Sequence, residues 1–300
     1  MAESEMPWTE QPPRLDVGVV GTGRVGSVLG AALMRAGHQV KACSGVSDVS
    51  RLRAESLLPG VPVMSVSETV KDRDLILLTV PDDVLPELVQ GLASTRAVSP
   101  GTFVMHASGR HGVEVLEPLT RQGSLPLAVH PVMTFTGTSM DLTRLSGCPF
   151  GITAPQELHA VAQALVMEIG GEPVWVPQEQ RALYHAALAF GSNFLMTLVN
   201  QTMDLLKSAG IDDPALLARP LFNAALDNAL RDSDRAVTGP VVRGDADTVD
   251  AHLAVLREHG NLVVDAYRAL ARLTADRAIA HGQLSAESAA RLLGKLGDES

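Results

Sequence analysis

Cysteine is scarce in this 300-residue chain, with Cys43 and Cys148 the only two. They stand far apart and outside any metal-ligand spacing, which excludes a disulfide framework and a zinc site and points to a reducing cytoplasm. Basic runs are missing as well. With a net charge of -10 and no Lys/Arg block, neither nucleic acid nor an anionic membrane is expected as a partner. The segment Met1 to Pro13 holds Glu3, Glu5 and Glu10 but no apolar run, so it is not a secretory signal and is expected to be a disordered tail. The most apolar long stretch, Ala182 to Val199, lacks basic flanking anchors and contains His185, Ser192 and Asn193. A helix buried in a protein core is expected there rather than a membrane span. No internal repeat or low-complexity tract is present.

The most informative feature lies near the start. An apolar stretch, Leu15 to Val20, runs into Gly21-Thr22-Gly23-Arg24-Val25-Gly26 and then into an Ala/Leu-rich helical pattern ending at Gly37. Strand, glycine turn and helix in that order let a dinucleotide's pyrophosphate sit on a helix N-terminus. Gly21 permits the turn, Gly23 leaves room for the phosphates, and Gly26 lets the helix pack on the strand.

Strands are expected near Asp16 to Val20, Gln39 to Cys43, Val61 to Ser65, Leu75 to Thr79, Thr102 to His106, Leu127 to His130, Phe150 to Thr153 and Pro173 to Val176, with helices between them. This is the pattern of an α/β Rossmann-type, doubly wound, mainly parallel sheet over residues 14–176. After Pro177 the pattern turns all-helical, with helices expected over Gln178 to Ser208, Pro214 to Arg231, Thr248 to His281 and Ser285 to Leu296. A boundary between Val176 and Gln180 therefore separates a dinucleotide-binding domain from a helical domain over residues 177–300.

An acid is absent where the second strand ends. Ala42-Cys43-Ser44 stands where an NAD-specific fold places Asp or Glu on the ribose hydroxyl, and Ser44, Ser47, Arg51 and Arg53 supply hydroxyls and guanidinium groups instead. That set suits a 2′-phosphate and favours NADP(H) over NAD(H), unless Ser47 or Asp48 merely caps the next helix and the arginines are solvated. The turn Thr79-Val80-Pro81-Asp82-Asp83 emerges at the carboxyl edge of the sheet, where Val80, Pro81 and Asp82 would flank the cofactor. Asp82 suits either a ribose hydroxyl or a helix N-cap.

Two further strand ends bring His106-Ala107-Ser108-Gly109 and His130-Pro131 to the same edge. A histidine placed there can deliver a proton during hydride transfer. In the helix after Arg181, His185 and Ser192 lie only about 20° apart around the axis and Asn193 about 80° from His185, so one side can present all three. They either wall an active site or are satisfied within a helical core. Arg243, in the loop Thr238 to Asp245, can grip a substrate carboxylate in a bidentate fashion, or pair with Asp245 to fix the loop.

Together GTGRVG, TVPDD, HASG, HPVMTF, YHAALAFGSN, TGPVVRGD and the following Thr248 to Leu253 resemble the bacterial family that joins a Rossmann-like domain to a helical C-terminal domain of unknown function. That family is similar to pyrroline-5-carboxylate reductases, F420-dependent NADP reductases and the 6-phosphogluconate-dehydrogenase group. The resemblance implies NADP binding, a helical domain that forms a homodimer, and reduction of a small 2-keto acid, since some relatives are associated with ketopantoate reduction. The wider group uses a Lys followed four residues later by an Asn on the interdomain helix. No such lysine stands here, which leaves His130 or His185 as proton donor and Ser108 and Asn193 as orienting groups. The competing expectations are a non-catalytic NADP sensor and a prephenate-like dehydrogenase.

Overall fold

The computed structural model describes residues 14–297, so the tail expected at Met1 to Pro13 lies outside the described residues. The chain forms two compact units, Met1–Ser192 and Asn193–Ser300. The division falls inside a helix, α8 (Arg181–Ser208), rather than between Val176 and Gln180. The first turns of α8 are tied to the sheet by the hydrogen bonds of Arg181, so they belong with the strands.

In the first unit, seven strands form one sheet in the order β2-β1-β3-β4-β5-β6-β7. They are β1 (Asp16–Val20), β2 (Gln39–Ser44), β3 (Leu75–Leu78), β4 (Phe103–His106), β5 (Leu125–Pro131), β6 (Pro149–Thr153) and β7 (Glu172–Trp175). Strands β1 to β5 are parallel, β6 runs antiparallel to β5, and β7 is parallel to β6. Hence the ends of β1, β3, β4 and β5 all open on one edge. The Leu-Ile-Leu-Leu run of β3 is buried throughout, as expected for a central strand covered on both faces. Each such side chain contributes about 1.5–3 kcal/mol relative to exposure. The outermost β7 is short, largely exposed and carries Pro173, which suits an edge that must not recruit further strands.

Helix α1 (Arg24–Arg35) follows β1, and α2 (Asp48–Leu57) follows β2 with Ser47 Oγ accepting from Ser50 N at its N-cap. Val61 to Ser65, expected as a strand, is instead a loop with a single bridge between Cys43 and Val63. Pro62 has no N–H to extend a ladder, and Ser65 is occupied in a capping box with Glu68 that starts α3 (Val66–Val70). The remaining helices of this unit are α4 (Leu85–Ser94), α5 (Glu117–Thr120), α6 (Met140–Arg144) and α7 (His159–Glu168).

The second unit holds the rest of α8, then α9 (Pro214–Asp232), α10 (Ala246–Leu256), α11 (Asn261–Ala280) and α12 (Ala286–Lys295). Caps set the starts: Asp213, Asp245 and Ser285 accept from backbone N–H groups of α9, α10 and α12. The single helix expected over Thr248 to His281 is broken at Gly260, whose φ of 109° no helix accommodates. Val249, Leu253, Val264, Ala275 and Leu292 form the unit's own core.

Residues 178–208 form the one stretch among the described residues long and apolar enough to cross a membrane. The burial expected for Ala182 to Val199 is not found within the chain: Arg181 is the only buried residue of α8. Several of its apolar side chains are exposed, Leu183 by 67% and Met196 by 62%.

Candidate functional site

The turn after β1 is tightly pinned. The N–H groups of Gly21 and Thr22 both donate to Ser44 O, at 3.0 Å each, and Thr79 Oγ1 donates to Gly21 O at 2.6 Å. Gly21 has φ 94°, a left-handed conformation that favours glycine. A Cβ on Gly26 would stand 2.0 Å from Gly21 O, so this position has no room for a side chain. Nothing lies within 4 Å of a Cβ on Gly23, which opens onto free space.

Helix α1 begins there with no side-chain cap and no acidic residue in its first turn. The amides of Arg24, Val25 and Gly26 are thus left for an anion, with the helix dipole behind them. Thr22 Oγ1 is buried and without a hydrogen-bond partner. An open cradle over Gly23, an uncapped helix end and an orphaned hydroxyl fit a dinucleotide's phosphates.

Ser44 is buried and gives its carbonyl to the turn. Ser47 caps α2, and Arg51 pairs with Asp48 at 3.4 Å on an exposed face. Arg53 lies elsewhere: a Cβ on Gly137 would meet Arg53 Nε at 2.8 Å and Arg24 Cγ at 3.0 Å, so two guanidinium-bearing residues converge on the loop after β5. Buried Asp141 holds that loop, accepting from Thr136 N and Gly137 N at 2.8 Å each. Asp82 does not cap α4, whose N-cap is Val84. Its carbonyl bonds His111 Nε2 at 3.1 Å.

The two strand-end histidines differ. His106 is fully buried, with Nε2 donating to Gly112 O at 2.9 Å and Nδ1 accepting from Ser108 N at 3.2 Å, so both ring nitrogens are used within the fold. Burial lowers its pKa from 6.5 to about 4. His130, at the end of β5, places Nδ1 2.8 Å from the Tyr184 hydroxyl. Its other nitrogen points toward Gly109, where there is no room for a side chain: a Cβ on Gly109 would lie 2.9 Å from His130 Nε2 and 2.7 Å from His185 Cδ2. The His130 and His185 rings meet edge to face at 6.4 Å. Burial first, then the Arg181 charge, lowers the His130 pKa to about 4, which leaves the imidazole neutral at pH 7.

The structure therefore brings His130, His185 and Ser108 together in the first unit. Ser108 Oγ accepts from His111 N at 3.0 Å and is free to donate. Ser192 is exposed, not satisfied in a helical core, and Asn193 and Arg243 belong to the second unit, both exposed. There Asp245 caps α10 through Thr248 N at 3.1 Å.

Sequence reasoning did not assign roles to Tyr184, Arg181 or His111. For Arg181 a signal existed. A cation in the first turn of a helix opposes the dipole, so its place there calls for compensating acceptors.

Residues 1–131 match the Rossmann-like domain family, and residues 148–274 match a domain of unknown function, DUF2520. A comparison with curated proteins finds no match. Among solved structures, the chain is similar to BF3122 from Bacteroides fragilis, described as a candidate NADP oxidoreductase, with 21% identity and TM-score 0.73 over 88% of this chain and 98% of that one. It is also similar to an imine reductase from Myxococcus stipitatus in complex with NADP+, with 18% identity and TM-score 0.63 over 93% and 99%. A third is the pyrroline carboxylate reductase of Plasmodium falciparum with NADP bound, with 12% identity and TM-score 0.54 over 88% and 98%. These likenesses are of fold.

Proposed function

The chain is a Rossmann-like domain joined to a DUF2520 domain, and from that premise we propose that it is an NADPH-dependent oxidoreductase reducing a small carboxylate-bearing carbonyl or imine, with 2-dehydropantoate the first substrate to test. One observation carries this reading. The anion-accepting turn after β1 and the His130–Tyr184 pair after β5 stand on the same edge of one parallel sheet.

When bound, the reduced nicotinamide supplies a hydride. The chain's own work is to bind, orient and protonate. The turn Gly21 to Gly26 holds the pyrophosphate, and Val80, Pro81 and Asp82 flank the nucleotide. Arg24 and Arg53 favour a 2′-phosphate over a free hydroxyl; of the set Ser44, Ser47, Arg51 and Arg53 read from the sequence, Arg53 keeps that role. His130 gives the Nε2 proton to the product oxygen or nitrogen while the Tyr184 O–H passes its own proton to Nδ1. The imidazole thus stays neutral and the negative charge rests on the phenol oxygen of Tyr184, whose ring centre lies 5.7 Å from Arg181. Ser108 and His185, on either side of the close approach at Gly109, orient the reacting group. Arg243 remains the candidate for the substrate carboxylate.

Open apolar faces on α8 and α9 support a homodimer, and two buried free thiols suit a cytoplasmic setting. The test is NADPH oxidation against a panel of small keto acids and imines, 2-dehydropantoate first. His130→Ala should lower kcat/KM by about 100-fold or more. An effect below about threefold removes histidine acid catalysis. NADPH binding without turnover on any member would turn the reading to a sensor.

A further inference from the structure

Arg181 heads the fully buried side chains among the described residues, at 1% exposure. It donates from Nε to His111 O at 3.0 Å, from Nη1 to Gly151 O at 3.0 Å and Thr153 Oγ1 at 3.1 Å, and from Nη2 to Ser108 O at 2.7 Å. None of these partners is a carboxylate. Four neutral acceptors from the loop after β4 and from β6 surround one cation, so the guanidinium is solvated by the fold and its charge is not cancelled at contact. Replacing a buried ion pair by such a cage is costly, and a fold that keeps it invites a role for the charge.

The charge has a neighbour to act on. Arg181 lies 5.7 Å from the centre of the Tyr184 ring, one helical turn along α8. Tyr184 in turn reaches His130, and it does so through space that a missing side chain provides: a Cβ on Gly151 would stand 2.3 Å from the Tyr184 hydroxyl oxygen. The carbonyl of that same Gly151 is an Arg181 acceptor. One residue of β6 therefore fixes both the guanidinium and the room for the phenol.

We propose that Arg181 is a positioning residue: it locks the strand ends beside Gly109 and holds the Tyr184–His130 pair so that His130 donates through Nε2. The tautomer follows from counting donors. His130 is the only hydrogen-bond partner of the Tyr184 hydroxyl among the described residues. If Tyr184 O–H donates to Nδ1, its proton is used and the ring proton sits on Nε2, facing Gly109. The reverse arrangement leaves the phenol proton without an acceptor in the fold and turns a bare acceptor toward the substrate. The neutral state follows from burial first and then from the charges facing the ring. Arg181, Tyr184 and His185 face it from α8 and Asp82 from the turn after β3; Asp82 alone favours the imidazolium, and burial with Arg181 outweighs it.

The inference rests on the proposed reductase reading for its purpose, but its test does not need turnover. Nitrogen-15 imidazole spectra of the ligand-free protein report both protonation and tautomer. In the wild type, His130 should stay neutral with the proton on Nε2 from pH 8 to about pH 5. Arg181→Met should raise its titration midpoint by about one pH unit, a tenfold change in proton affinity, and Arg181→Lys should restore most of the lowering. A wild-type midpoint near 6.5, a proton on Nδ1, or an unmoved midpoint in Arg181→Met would each overturn the proposal. If Arg181→Met does not fold, Tyr184→Phe reads the pairing instead: loss of the Nε2–H form supports it, and an unchanged tautomer overturns the proposal. A wild type that shows the neutral Nε2–H form yet reduces no substrate with NADPH refutes the reductase reading and leaves this one standing.

Discussion

The sheet unit and the helical unit bury their apolar residues by different rules. In the first, Val17, Val19, Leu75, Ile76 and Leu77 are wholly enclosed by strands and helices of the same unit. In the second, α10 to α12 enclose a core, but α9 leaves Leu221 68% and Leu230 78% exposed. Isolated exposed leucines are ordinary, whereas a helix lined with them is a face awaiting a partner. The strands of the first unit are enclosed within it, whereas the open face of α9 in the second is expected to be covered by a second copy.

The comparison breaks most visibly at that face. Leu221→Asp with Leu230→Asp should weaken self-association by more than about 1000-fold, read by sedimentation, since each protomer would bury two charges in the contact. If the unaltered protein sediments as a monomer, the exposed face has another purpose. In the sheet unit, Gly26→Val should lower NADPH affinity by at least about 100-fold by calorimetry, because its first side-chain atom collides with Gly21 O. Retained affinity would mean that the nucleotide does not use this turn.

Asp141→Asn probes the loop after β5 and should cost about 1–3 kcal/mol in urea unfolding, because the amide cannot accept all the bonds the carboxylate does. Burial raises the Asp141 pKa, but the bonds from Gly137 and Thr136 outweigh it and hold it below the ordinary value of 3.8. Its stabilisation is therefore present at neutral pH and lost as the pH falls through and below the ordinary carboxylate range, and the variant should show a shallower acid limb. The smallest effect concerns cofactor choice. Arg53→Ala should weaken NADPH binding by about tenfold without changing NADH binding, and Arg51→Ala should change neither by more than about twofold.

Much of the fold was legible in local pattern. The glycine turn, the buried strand at Leu75 and the helix starts at Pro214 and Ser285 are set by neighbours in sequence, and the structure has them where the residues imply. Val61 to Ser65 misled because its apolar residues satisfy strand periodicity while Pro62 and the Ser65 cap decide the backbone. Gly260 marked a helix break that apolar periodicity on both sides concealed. In the site, His130 was legible as a strand-end residue. Tyr184 and Arg181 were not, because their partners at Gly151, Thr153 and Ser108 are brought close only by sheet pairing. Arg53 was named with the 2′-phosphate set from the sequence, whereas its approach to Arg24 at Gly137 depends on the loop after β5.

Arg181 sets a polarity for the chemistry in front of it. A ketone gains negative charge on oxygen as it accepts a hydride, and a cation buried behind the proton donor stabilises that alkoxide throughout the reaction without having to reorganise. A protonated imine arrives already positive and loses that charge on reduction, so the same guanidinium opposes its entry. On the proposed reductase reading, the sign of one caged charge would favour ketones over iminium ions.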